Sequence, residues 1–368
     1  MNDNGMFWNS EGVNGKETVS PEMEIPHPSC TPLLVSRARK TYSAIGFGLA
    51  IYSVISLAVA LVIQVIAMIV SPDLVEDILF LNIITPVSLY VFALPILLLT
   101  LLGFGVKGEA LSKRKMGLGE WMLIFVVSFG LMYIGSYAGQ FVMSGLSALV
   151  GYDYSNMLES MVDIDKIWIT VIFMCVVAPI GEEFVFRKLI IDRTHKYGGF
   201  VCIFFSALAF GLMHANFYQF FYAFALGLVL GYVYYKTGRI WYGIALHAAI
   251  NFVGSVLTSY LAVGVDEMSK ALEVLDAQNT EELIAFLQKY GFSLLAEYAF
   301  VIFVFASMIC AVVLPIVLRK RIKLERSNDI APCKSVLAAS FLNVGAVVMI
   351  LVYAIQLVLT LVSPLLGQ

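Results

Sequence analysis

Three apolar segments in the middle of the chain carry side chains that can perform acid–base chemistry. They contain Gly-Glu-Glu-Phe-Val-Phe-Arg at 181–187, Phe-Gly-Leu-Met-His at 210–214 and His-Ala-Ala-Ile-Asn at 247–251. An ionisable side chain near the centre of a membrane-spanning helix costs roughly 2.5–3.5 kcal/mol on insertion scales. Groups retained at that cost indicate a functional site, and a carboxylate with imidazoles can activate a water molecule.

Helical spacing predicts how these side chains are paired. Glu183 and Arg187 are four residues apart, so they share a helix face and can form an ion pair that offsets part of the cost of burial. Glu182 lies about 100° around the helix from Glu183 and lacks that partner. His247 and Asn251 are also four residues apart and share a face.

The residue types predict hydrolysis of an amide. Glu182 would act as the general base, and His214 would orient the attacking water either directly or through a metal. His247 and Asn251 would donate hydrogen bonds to the developing oxyanion. A serine or cysteine nucleophile has weaker support, because Ser206 and Cys202 in the same region have no acid–base neighbour in the sequence.

The depth of each group follows from a rise of 1.5 Å per residue. Glu182 lies about 21 Å and His214 about 22 Å from the basic end of its segment, so the two can meet. His247 is only about 12 Å from the basic end of its own segment. Either the connection at 236–243 dips into the bilayer, or the helices tilt around a cavity open to the cytoplasm.

The whole chain has the composition of a membrane protein. Of its 368 residues, 60% are hydrophobic and only 13% are charged, which excludes an ordinary soluble globule and a largely disordered chain. Nine apolar stretches occur, at 43–70, 79–105, 121–149, 167–191, 199–215, 218–235, 240–262, 292–318 and 336–363. The short stretches 199–215 and 218–235, joined at His214–Phe217, indicate either two spans or a tight helical hairpin. The nine stretches predict an all-α polytopic membrane bundle of about eight or nine transmembrane helices with a membrane-embedded polar site.

Charged residues divide the loops into two alternating classes. Lys and Arg concentrate in every second loop, whereas Asp and Glu dominate the others. The positive-inside rule then places the N-terminus in the cytoplasm and the C-terminus outside. Because topology accounts for the basic clusters, they do not indicate nucleic-acid binding. Separately, we expect a bacterial plasma membrane, and the lipid bilayer is the expected partner.

Five regions are expected along the chain. They are a polar cytoplasmic tail (1–41), N-terminal transmembrane helices (42–166), a catalytic core (167–262), an extracytoplasmic loop with an amphipathic helix starting near Asn279 (263–290), and C-terminal transmembrane helices (291–368). No Cys-x-x-Cys pair occurs among the cysteines, so neither a disulfide nor a cysteine metal site is predicted for Cys30, Cys175, Cys202, Cys310 and Cys333.

The three motifs resemble those of the CPBP family (CAAX protease and bacteriocin-processing, or Abi) of intramembrane endopeptidases. The family pattern of Glu-Glu-x-x-x-Arg, Phe-x-x-x-His and His-x-x-x-Asn is intact and in order, as Glu182, Glu183 and Arg187, then Phe210 and His214, then His247 and Asn251. The resemblance covers about 167–255.

The resemblance implies a protease whose site opens toward the cytoplasm or inner leaflet and whose substrate is a peptide or membrane protein. It implies Glu182 and His214 as the water-activating pair, with Glu183 and Arg187 in support. Family members are commonly labelled metalloproteases, and Glu182, His214 and His247 would supply three ligands for Zn²⁺ or another divalent metal. The sequence has no His-Glu-x-x-His zinc motif, so the metal question stays open.

Two other interpretations are retained. The polar groups could merely lock helices together in a non-catalytic scaffold or bacteriocin self-immunity protein. A transporter would require inverted repeats with broken helices in both halves, and the sequence shows neither.

Overall fold

The computed structural model describes residues 30–154, 164–273, 275, 279–319, 322 and 333–366. Within these ranges the chain is helical and contains no β-strand, which confirms the all-α prediction. Its ten principal helices are α1 (Pro32–Val70), α2 (Ile78–Gly103), α3 (Leu118–Val150), α4 (Ile167–Tyr197), α5 (Gly199–Met213), α6 (Phe217–Thr237), α7 (Ile240–Glu273), α8 (Thr280–Val317), α9 (Lys334–Phe341) and α10 (Val344–Leu366).

Eight of these helices are long and apolar enough to cross a membrane, whereas α9 and α5 are shorter. The predicted polytopic bundle of eight or nine spans is therefore confirmed. The helix α5 has 15 residues, and at 1.5 Å per residue it is about 22 Å long, less than the hydrocarbon thickness of a bilayer.

Helices α5 and α6 form the tight hairpin that the sequence predicts. Ala215 turns the chain with a positive φ of 50°, and Asn216 caps α6 by accepting a hydrogen bond from the Gln219 N–H at 2.8 Å. Tyr218 at the tip donates a 2.6 Å hydrogen bond to the Tyr154 carbonyl just beyond α3. This hydrogen bond ties the hairpin tip, which carries His214, to the end of the bundle at which α3 ends.

Ion pairs join loops of the same class. Lys166 and Asp77, both in acidic loops, lie 3.7 Å apart, whereas Lys196 and Glu109 approach within 2.6 Å at the basic side. The alternation of charge along the sequence therefore corresponds to two opposite ends of the bundle. The Phe80 N–H donates to the Asp77 carboxylate and, with Lys166, lowers the pKa of Asp77 below its usual value.

Several long helices are interrupted by wider π-helical turns. One such turn lies in α2 (Val87–Ala93), two lie in α4 (Phe173–Val177 and Glu183–Leu189) and one lies in α7 (Phe252–Leu257). The helices α4 and α7 carry most of the polar groups noted above. Such turns occur often at functional sites because they rotate the side chains that follow them.

The region 263–290 differs from its prediction. Asn279 does start a helix, since its side chain accepts from the Glu281 N–H at 3.1 Å. That helix is not a separate element on the outer face: it is the first part of α8, which runs for 38 residues. Since α7 extends to Glu273, helix occupies most of the expected loop.

The absence of a disulfide was predicted wrongly. Cys30, just before α1, is bonded to Cys333, just before α9. The two cysteines are separated by 303 residues and occur in no recognisable motif, so only the packing of α1 against α9 brings them together. Cys175, Cys202 and Cys310 are not disulfide-bonded.

Replacing Cys30 with serine is expected to lower the melting temperature of the oxidised protein and to leave that of the reduced protein unchanged. The bond restrains the start of α1, and loss of a disulfide costs about 0–5 kcal/mol. Thermal unfolding with and without reductant measures this effect, and Cys310→Ser is the matched control. Five alkylatable thiols in the unreduced protein would contradict the pairing.

Candidate active site

The three polar motifs meet inside the bundle, on α4, α5 and α7. Glu182 ends a short α-helical turn, Ala178–Glu182, and Glu183 begins the π-helical turn Glu183–Leu189. His214 follows the last residue of α5, and His247 lies two turns into α7. The site is therefore built from local helix distortions on α4 and from two neighbouring helices.

Glu183 and Arg187 form the predicted ion pair. The Arg187 Nε lies 3.3 Å from the Glu183 Oε2, and both side chains are completely buried. A Cβ at Gly243 would lie 2.8 Å from the same carboxylate oxygen, so this glycine makes room for the pair. The Arg187 guanidinium also lies 4.5 Å from the centre of the Phe210 ring, a cation–π contact.

His247 lies between the two glutamates. Its Nδ1 is 3.2 Å from Glu183 Oε1, and its Nε2 is 3.6 Å from Glu182 Oε2. A neutral imidazole can donate from only one nitrogen, whereas the protonated ring can donate to both carboxylates. The Glu182 side chain is 14% exposed and that of Glu183 is not exposed at all, so Glu182 is the carboxylate that a small molecule can reach.

Phe210 contacts both histidines. Its ring centre lies 5.1 Å from that of His214 and 5.7 Å from that of His247, with both pairs nearly perpendicular. The Phe210 carbonyl accepts a 2.9 Å hydrogen bond from His214 Nδ1. Because a carbonyl can only accept, Nδ1 carries the proton, and the Nε2 of a neutral His214 has a free lone pair.

Asn251 reaches the site less directly. Its Nδ2 donates a 2.7 Å hydrogen bond to the Met174 carbonyl, within the π-helical turn Phe173–Val177. This bond uses one of the two amide hydrogens. Asn251 thus ties α7 to α4, and its expected contact with an oxyanion stays a prediction.

The expected metal ligands do not form a metal site in the described part of the chain. No group of three or more His, Cys, Asp or Glu side chains there is placed to hold an ion. His247 Nδ1 faces Glu183, whereas its Nε2 faces Glu182, another of the three expected ligands. A histidine ligand commonly donates its second ring N–H to a carboxylate in this way, so the metal stays a prediction.

Ser206, the serine considered as a nucleophile, has a structural contact. It is completely buried and donates a 2.6 Å hydrogen bond to the Phe186 carbonyl. The bond joins α5 to the π-helical turn that carries Arg187. Ser206 is therefore part of the scaffold that holds Phe210 near the ion pair.

Three tyrosines around Glu182 were not predicted from the sequence. Tyr52, Tyr90 and Tyr222 come from α1, α2 and α6, and each is close enough to interact electrostatically with the Glu182 carboxylate. The chain has 18 tyrosines, many of them in apolar segments, so no local signal distinguishes these three.

Gly181→Ala is expected to impair the site, because a Cβ at Gly181 would lie only 2.2 Å from the Tyr90 ring. Overpacking of this kind typically costs about 1–3 kcal/mol. The measurement is the melting temperature together with catalytic activity, and the control is Gly145→Ala, where a Cβ meets nothing within 4 Å. A second change, Tyr90→Ala, should restore part of the stability; additive losses would contradict the contact.

Comparisons with known proteins find a match in the region that contains the three motifs. Residues 164–253 match the family described as type II CAAX prenyl endopeptidase Rce1-like. A Bacillus subtilis (strain 168) protein named "Putative membrane peptidase YdiL" is 28% identical over 135 residues, which cover 34% of this chain and 55% of that protein. The chain thus spans about half the length of the curated relative that it matches.

No solved structure gives a significant match. The family match begins just before α4 and ends just after Asn251, so it contains every residue of the three motifs. The three motifs lie at one site inside this Rce1-like region, so this part of an integral membrane protein is similar to the CAAX-protease (CPBP) family.

Proposed function

We propose that the chain is an intramembrane endopeptidase that hydrolyses a peptide bond with a water molecule activated by Glu182 and His214. The observation that carries the proposal is that Glu182, His214 and His247 gather around Phe210: the Glu182 carboxylate lies 3.6 Å from His247, and both histidine rings contact the Phe210 ring. Such a cluster is costly to bury in a membrane and has the groups that amide hydrolysis requires.

In the proposed mechanism, Glu182 removes a proton from water as the water attacks the scissile carbonyl. Its partial exposure gives a water molecule access, whereas the ion pair with Arg187 occupies Glu183. The free Nε2 lone pair of His214 would accept a hydrogen bond from the same water and so orient it. Protonated Glu182 would then deliver its proton to the leaving amine.

The developing oxyanion is assigned to His247 and Asn251. Stabilisation requires donors that are held in place before the reaction starts. Glu183 accepts a hydrogen bond from His247 Nδ1, so His247 would donate to the oxyanion from Nε2 as the protonated ring, and the Met174 carbonyl holds the Asn251 amide. The Glu183–Arg187 pair therefore acts on the chemistry through His247, as a positioning pair.

The proposed mechanism is written without a metal. Elemental analysis of purified active enzyme measures metal content directly. We expect activity without a stoichiometric divalent ion and without sensitivity to chelators. One bound ion per chain that is lost in His214→Ala would contradict this part of the proposal.

The proposed setting is a bacterial plasma membrane with the basic ends of the helices in the cytoplasm. The pairing of basic-side loops at one end and acidic-side loops at the other supports this orientation through the positive-inside rule. The N-terminus would then be cytoplasmic and the C-terminus outside. The substrate would be a peptide or a membrane protein that reaches the site through the bilayer.

His214→Ala is expected to abolish cleavage of a quenched fluorescent peptide library by the purified chain in lipid nanodiscs. The change removes the group that orients the water. His195→Ala is the matched control, because His195 lies at the basic end of α4 and its ring contacts the Glu109 carbonyl instead. Equal cleavage by wild type and His214→Ala would refute the assignment, and no cleavage by folded wild type would favour a non-catalytic scaffold.

A further inference from the structure

A large cleft lies at the basic end of the bundle, away from the proposed active site. Its volume is about 1030 Å³, and it is bounded by the first turns of α1, the ends of α2 and α4 and the start of α10. Tyr197, which lines it, is 15 residues beyond Glu182, or about 22 Å along the axis of α4. Nothing in the proposed hydrolysis uses this cleft.

The rim of the cleft carries an excess of positive charge. Arg37, Arg39, Lys40 and Lys107 line it and are exposed to solvent. None of the four has an ion-pair partner among the described residues. Lys196, at the same rim, is already paired with Glu109 at 2.6 Å.

The walls of the cleft are apolar. Phe104, Val344, Val347 and Val348 line it, and more than half of the Phe104 and Val344 surface is exposed. The α1 and α10 backbones approach closely beneath it, since a Cβ at Gly46 would lie 2.4 Å from the Gly345 carbonyl carbon. An apolar wall under a charged rim fits an amphipathic ligand better than a free anion.

The ends of the helices place the cleft at the membrane surface. The candidate spans of α2 and α4 end at Gly103 and Tyr197, and that of α10 begins at Val344, each beside the cleft. The rim therefore lies at the level of lipid headgroups, and the walls lie at the level where acyl chains begin. The positive-inside rule explains on which side the charges lie, but it does not explain a cleft with apolar walls.

We propose that this cleft binds an anionic phospholipid of the inner leaflet. The phosphate group would contact Arg37, Arg39, Lys40 and Lys107, and one acyl chain would lie against the valines of α10. Basic pockets between helices bind anionic headgroups in this way, and each basic group adds to the attraction. The volume accommodates a headgroup and the first part of a chain.

The test uses the full chain in detergent, with binding of phosphatidylglycerol and phosphatidylcholine measured by native mass spectrometry and by the shift in melting temperature. We expect the wild type to retain phosphatidylglycerol selectively. Lys40→Glu/Lys107→Glu should weaken that binding by roughly tenfold or more. Lys113→Glu/Lys115→Glu is the matched control. It makes the same change of charge at two exposed residues outside the cleft, in the basic loop that contains Lys107.

Equal losses in the two double variants would overturn the proposal, because they would show a general charge effect. An equal melting shift with inorganic phosphate at the same concentration would also overturn it, because the site would then bind the anion alone. Val347→Trp provides a second test, since it fills the apolar wall without changing charge and should also weaken lipid binding. Retained peptide hydrolysis in these variants separates this proposal from the proposed function.

Discussion

Replacing Glu182 with glutamine is expected to lower the rate of peptide hydrolysis by about 10²–10⁴-fold, the usual contribution of a positioned general base. Glutamine keeps the shape of the side chain and its approach to His247 but cannot take a proton from water. Because Glu182 is not part of the buried ion pair, the fold should remain intact. The measurements are kcat at saturating peptide and kcat/KM at limiting peptide.

The matched control for this prediction is Glu297→Gln. Glu297 is also a half-buried carboxylate in an apolar helix, but it lies on α8 rather than at the cluster. We expect its activity to equal that of the wild type. If Glu182→Gln cleaved at the normal rate, Glu182 would not be the base, and the proposed mechanism would be wrong.

Replacing Arg187 with methionine is expected to destabilise the protein by about 3–5 kcal/mol, because it leaves the fully buried Glu183 without its cation. Methionine fills most of the space and so limits the effect of a cavity. The change also removes the cation–π contact between the guanidinium and Phe210, so the Phe210 ring, which contacts both histidines, is held less firmly. The measurement is the melting temperature and the free energy of unfolding in detergent.

Lys270→Met is the matched control for Arg187→Met. Lys270 pairs with Asp266 four residues before it, in α7, and the two side chains are 71% and 61% exposed. Exposed pairs contribute about 0–1 kcal/mol, so this variant should melt near the wild-type temperature. Adding Glu183→Gln to Arg187→Met should recover part of the loss, and a normal melting temperature for Arg187→Met alone would contradict the importance of the buried pair.

The features predicted correctly from the sequence are those set by neighbouring residues. Glu183 and Arg187 pair because a separation of four residues places them on one helix face, whatever else surrounds them. The short α5–α6 hairpin could be recognised because two apolar runs are joined by only a few residues. The helix start at Asn279 could be recognised from its capping side chain.

Predictions failed where distant parts of the chain meet. The contact of Cys30 with Cys333 depends on the packing of α1 against α9, which leaves no trace in local periodicity. The position of His247 between two carboxylates depends on how α7 crosses α4, which local spacing does not encode. The short α6–α7 connection is likewise held by a distant segment, since the backbone N–H of Arg114 in the α2–α3 loop donates a hydrogen bond to the Thr237 carbonyl.

The amino-acid sequence by itself determined that this protein is a helical membrane bundle and which of its polar residues are too costly to be incidental, because hydropathy and helical spacing act over a few turns. Only the tertiary structure decided which carboxylate stays reachable, that Phe210 contacts both histidines, and that a basic cleft with apolar walls forms at the membrane surface. The physical reason is that helix crossings depend on close packing between residues far apart in the chain, such as Gly46 and Gly345, and periodicity does not encode those contacts.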